Sequence, residues 1–131
     1  MNLSKGRKIL VVAFALMSVV GFLFTPAGFE TRPLSSLVSY ALIPFFLSTT
    51  ILDVASLILI FLRPRIASIT GILAAIFYIF LAPADQARLF FVGIPVPTAI
   101  TANEYVALAL SIVVLLVVPT VYREASSRSA A

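Results

Sequence analysis

The sequence predicts an all-α fold: an integral membrane four-helix bundle, up-down-up-down, with both termini in the cytoplasm. Three observations predict it. Hydrophobic residues make up 62% of the 131-residue chain and charged residues only 11%, against about 25% charged in soluble domains. Four long apolar runs alternate with short polar segments, and a helix needs about 20 apolar residues to cross a hydrocarbon core. The basic residues gather on alternate segments between those runs. A domain of this size in water leaves much of its surface exposed and could not hide so much apolar area. Lipid is therefore the expected solvent.

The first span is expected over about 9–24, ahead of the breakers Pro26 and Gly28. Its start, "KGRKILVVAFALMSVVGFLF", also has the basic and apolar regions of a secretory signal. Such a signal ends in a small-x-small cleavage site, and Thr25-Pro26-Ala27 is a poor one, so the helix is expected to be retained. The second span runs over about 37–62, with Pro44 as a kink and Asp53 inside it. The third covers about 66–81 and is expected to stop at Pro83. The link "RPR" is so short that spans two and three must form a hairpin, and Pro64 is expected to end a helix there. The fourth span covers about 105–122, opened by a capping box at Thr101 and Glu104. The outer connection 82–103 is expected to begin with a short interfacial helix, carrying a solvated pair Asp85–Arg88, and to continue extended through "GIPVPT". The tail 123–131 is expected to be mobile. The whole chain reads as a single membrane domain.

Charge sets the orientation. Lys5, Arg7 and Lys8 precede span one, Arg63 and Arg65 sit between spans two and three, and Arg123 and Arg128 follow span four. Four antiparallel spans put these on one side, leaving Arg32 and Arg88 on the other. Basic residues accumulate on cytoplasmic segments, so that side is the cytoplasm. The net charge of +4 is thus read as topology, and no nucleic-acid partner is expected. With no cysteine and no histidine, the chain lacks the usual thiolate and imidazole ligands and the usual general base. No metal and no catalytic constellation is expected.

Asp53 is the outlier. It lies ten residues before Arg63, about 15 Å at 1.5 Å per residue, which is near mid-membrane. An ionisable group at that depth is a functional-site hypothesis by default. Its neighbours three and four residues away, Thr49, Thr50 and Ser56, make a polar stripe that must face protein or water. Counting inward from the cytoplasmic ends places Ser18 and Ser111 at the same level, with Tyr78 a turn further out. Gly71, Ala74 and Ala75 give span three a face that permits close packing. One reading is a helix lock, in which Asp53 ties helices through these hydroxyls. The other is a binding site for a small molecule. Tyr78 and Tyr105 read first as interfacial aromatics.

Around "LDVASLILIFLRPRIASITGILAAI" the chain resembles the DoxX-like group of small four-helix membrane proteins. Asp53, the run 57–62, Arg63-Pro64-Arg65 and Gly71 carry the resemblance. It covers about 25 residues plus the number of spans. The family more usually has Glu and glycines where this chain has Asp53, Ala55 and Ser56. The resemblance implies a small bundle, associated in some members with quinone-linked thiosulfate oxidation or with redox partners at the membrane.

The leading functional expectation is a non-catalytic accessory or structural subunit of a larger membrane complex, or a homo-oligomer, with no resident cofactor. The first alternative is a quinone or lipid site at Asp53. The second is an oligomeric transporter or proton path. No enzymatic activity is expected.

Overall fold

The computed structural model describes residues 3–31, 37–87, 96 and 98–130, and the side chains of 3–22, 44, 45, 47–87, 96 and 98–127. The described residues form four α-helices and no strand: α1 Lys5–Thr31, α2 Leu37–Leu62, α3 Pro64–Gln86 and α4 Thr98–Ala130. Helix α3, and Thr98–Ser127 within α4, are long and apolar enough to cross a membrane.

Ser4 starts α1. Its hydroxyl accepts from the Arg7 N–H at 3.3 Å and its carbonyl accepts from the Lys8 N–H at 3.0 Å, as an N-cap does. The break between α2 and α3 is one residue wide. Arg63 has φ −142° and ψ 77°, the extended backbone that a following proline enforces. Its N–H still closes on Leu59 O at 2.6 Å, and its carbonyl accepts from Ala67 at 3.0 Å. Pro64 is thus the first residue of α3, where its missing N–H costs nothing. The sequence expectation that Pro64 only ends a helix is corrected: it opens the next one.

Prolines elsewhere punctuate less than expected. Helix α1 runs on past Phe24 through Pro26 to Thr31 and α3 passes Pro83 to reach Gln86, while α4 contains Pro119 as the expected span over 105–122 does. Each proline removes one backbone donor, but the turns on either side continue. The helix of α4 begins at Thr98, so Thr101 lies inside it and opens no capping box. Its far end continues to Ala130. No proline or glycine follows Pro119 in that stretch, so 123–130 is helical, and Ala125 is buried. Asp85 belongs to the last turn of α3 and is buried, rather than opening an interfacial helix in a solvated pair. Arg88 and most of the expected extended stretch lie outside the described residues.

The helices pack α1 on α2, α2 on α3, α3 on α4, and α4 back on α1. The contacts run antiparallel: Arg7 meets Ile60 while Gly21 meets Thr50, and Gln86 meets Thr101. Leu10, Phe14, Met17, Ile60, Val114, Val118 and Val121 fill the centre. The small face expected on α3 is there: Gly71, Ala74 and Ala75 are buried. A methyl group on Gly71 would lie 2.5 Å from Phe14 Cζ, so only a glycine lets that ring reach α3. The outward faces are apolar on every helix, with Val12, Leu16, Ile51, Ile58, Leu73, Phe80, Val106 and Leu116 among the exposed residues.

Candidate functional site

Asp53 is fully buried, on the inward face of α2. Thr49 and Ser56, one turn to either side, are equally buried, and Thr50 is half-buried. The stripe predicted from the spacing of three and four residues therefore faces the interior. Ser18 on α1 and Ser111 on α4 are buried too. In burial, the polar layer has the members that the sequence suggested.

Its bonding is different. Ser18 donates to Phe14 O, Thr49 to Phe45 O and Ser111 to Ala107 O, each at 2.8 Å. A serine or threonine within a helix can satisfy its hydroxyl on the carbonyl four residues back, and these three do so. None of them reaches Asp53. Ser56 bridges instead to Thr70 on α3 at 2.6 Å. Thr70 Oγ1 also lies 3.2 Å from Ala67 O. Thr50 packs against Gly21 of α1, where an added methyl would lie 2.7 Å from its Oγ1. The expected network of Ser18, Asp53 and Ser111 is thus resolved into separate, locally satisfied hydroxyls.

Among the described residues the partner of Asp53 is Tyr78 of α3, whose hydroxyl donates to Oδ2 at 3.4 Å. Tyr78, one of the helix-locking candidates, is buried beside Asp53, whereas Tyr105 is exposed. The other carboxyl oxygen, Asp53 Oδ1, is buried with no hydrogen-bond partner. Chemically the pair is a long tie between α2 and α3 that leaves one oxygen free to bond a hydroxyl, an amide or a carbonyl brought to it.

Sequence reasoning passed over a second polar residue, Arg7 of α1. It is 8% exposed, and its Nη2 donates to Ile60 O at 2.6 Å. The last carbonyls of a helix have no donor within it, and the residue four beyond Ile60 is Pro64, which has no N–H to give. A guanidinium from α1 fills that place. At the opposite end, Gln86 Nε2 donates to Glu104 of α4 and lies 3.3 Å from Thr101 Oγ1. Glu104, expected to cap its own helix, instead ties α4 to α3.

No protein-family model, no curated protein and no solved structure matches this chain.

Proposed function

We propose that this chain is a multi-pass membrane protein, a four-helix bundle of up-down-up-down topology with both termini cytoplasmic, that serves as a non-catalytic subunit of a larger membrane assembly. The observation that carries the reading is the distribution of polarity on α2. Thr49, Asp53 and Ser56 are fully buried while Leu47, Ile51, Ile58 and Leu62 of the same helix are exposed. A helix that turns its few polar groups inward and its largest apolar groups outward suits surroundings of lipid or of other apolar helices. The orientation rests on the basic residues at one end, where Arg7, Arg63 and Arg65 come together. In this reading Asp53 and Tyr78 clasp α2 to α3, and α1, which gives Leu10, Phe14 and Met17 to the core, is part of the working protein. The DoxX-like resemblance, some of whose members are associated with quinone-linked thiosulfate oxidation or with redox partners at the membrane, points to redox proteins as one class of partner to look for.

The test is purification from the native membrane in a mild detergent, followed by mass spectrometry of what accompanies the chain. Large partners at fixed stoichiometry support the subunit reading. A lone chain or a homo-oligomer sinks it.

One observation favours a second reading. Asp53 Oδ1 is buried and unpartnered, as the polar anchor of a quinone or lipid site would be before its ligand arrives. That reading expects a quinone to raise the melting temperature of the isolated chain and Asp53→Asn to change the size of that rise.

A further inference from the structure

We propose that the basic end of the bundle binds the phosphate of an anionic phospholipid. The inference rests on the membrane reading above. A cavity of about 740 Å³ opens between the α2–α3 turn and the ends of α1 and α4. Arg7, Arg63 and Arg65 line it. Arg63 and Arg65 are exposed, and the Arg65 guanidinium carbon stands 5.6 Å from the centre of the Tyr122 ring, which lines the same cavity. Arg7 is different. Its side chain is more than nine-tenths buried, one arm of its fork is fixed on Ile60 O, and its Nε is buried with no partner. A buried, unpaired guanidinium N–H is costly, and a phosphate oxygen is the acceptor that matches the fork best.

The charge balance points the same way. Glu124 is the acid on the wall, and its Oε2 is also buried without a partner. Neither Arg7 Nε nor Glu124 Oε2 is satisfied by the other. Three arginines and one glutamate line the cavity, an excess of positive charge that an added anion would balance.

The walls identify which phosphate. Leu62, Ile66 and Ile69 line the cavity and are exposed, Leu62 to 71%. An inorganic phosphate would leave that apolar surface uncovered. A phospholipid would lay its chains along it while its phosphate reached the arginines. In the proposed topology this end is the cytoplasmic one, where anionic lipids meet basic residues beside a helix end.

The experiment uses the full chain in nanodiscs of phosphatidylcholine containing a minority of phosphatidylglycerol, released and weighed by native mass spectrometry. The expected result is retained phosphatidylglycerol whose ratio to phosphatidylcholine exceeds the bulk ratio by about fivefold for each arginine engaged. Arg65→Gln, at an exposed position, is expected to lower the enrichment about fivefold without unfolding the chain, and Arg7→Met to lower it at least as much. A second arm places the wild type in pure phosphatidylcholine with inorganic phosphate in the buffer, where no rise in melting temperature is expected. Retained lipid that mirrors the bulk, or an enrichment untouched by both substitutions, overturns the proposal. Stabilisation by inorganic phosphate alone overturns the lipid assignment in favour of a soluble anion. A chain that fails to enter the discs overturns the membrane reading as well, whereas entry without enrichment overturns this inference alone.

Discussion

Asp53 and Arg7 are both buried and ionisable, and they sit on adjacent helices that pack against each other. Their surroundings have little else in common. Around Asp53 the polar groups are weakly joined: a 3.4 Å contact with Tyr78, and hydroxyls that mostly bond their own helix. What holds the middle of the bundle is shape, with Phe14 seated on Gly71 and Thr50 on Gly21. At the basic end the reverse is true. There a short charge-assisted bond, Arg7 to Ile60 O at 2.6 Å, supplies a donor that the backbone cannot, and an open cavity lies beside it. The lesson is that the conspicuous residue of the sequence, a lone acid in an apolar run, is not where the strongest polar bond of the pair lies.

The largest expected effect tests the claim about shape. Gly71→Val puts its first added carbon 2.5 Å from Phe14 Cζ and 2.8 Å from Cε1. Overpacking of that kind costs about 1–3 kcal/mol, and the rigidity of the ring places this case near the upper end. Adding Phe14→Leu is expected to recover part of the loss, because it withdraws the atoms that clash. Thermal unfolding of the wild type and the two variants in one detergent decides it. A Gly71→Val protein as stable as wild type would mean that packing does not govern the middle.

Much of the frame was legible in the sequence because it depends on one-dimensional pattern. Four apolar runs gave four helices, and the bounds of α2 fell at 37–62 as read. The inward stripe through Asp53 followed from helical periodicity alone. Prolines were less legible. Pro44, Pro26, Pro83 and Pro119 all lie inside helices, yet Pro26 and Pro83 are expected from the sequence to lie beyond helix ends; a proline removes one donor but does not say whether the next turn will carry on. The pairing of side chains was least legible. Counting depth brings Tyr78 to a level near Asp53 and makes it a helix-locking candidate, but depth does not say which way a ring points or that it alone of the described residues meets the carboxylate. Ser18 and Ser111 are expected to answer Asp53, but each is satisfied by the carbonyl four residues back on its own helix. Arg7 needed two distant facts at once: the missing N–H of Pro64, visible in the sequence, and the approach of α1 to the end of α2, which is not.

Arg7→Met is the next test, of the basic end. It keeps much of the apolar stem and removes the donor, leaving Ile60 O without its partner. Losing a hydrogen bond from a charged group costs about 1.5–3 kcal/mol, so a loss of about 2 kcal/mol is expected in the same unfolding assay. Hydrogen exchange should localise the change to the last turn of α2. A loss below that expected for the Asp53 tie would erase the contrast between the two regions.

The smallest expected effect belongs to the residue that first drew attention. Asp53→Ala and Tyr78→Phe, singly and together, form a cycle that isolates the tie between α2 and α3. Hydrogen bonds between helices in a membrane average about 0.6 kcal/mol, and a 3.4 Å contact should not exceed that. Each single variant will also carry its own burial and packing costs, which the cycle removes. A coupling near the average fits a clasp, one contributor among many to holding the hairpin. A coupling several times larger would mean that Asp53 and Tyr78 act as a unit, shifting the balance from a clasp toward the ligand-bearing reading. A coupling of zero would leave the buried acid with no structural use on this chain, so that its free oxygen would have to find its purpose on a ligand or a neighbouring subunit.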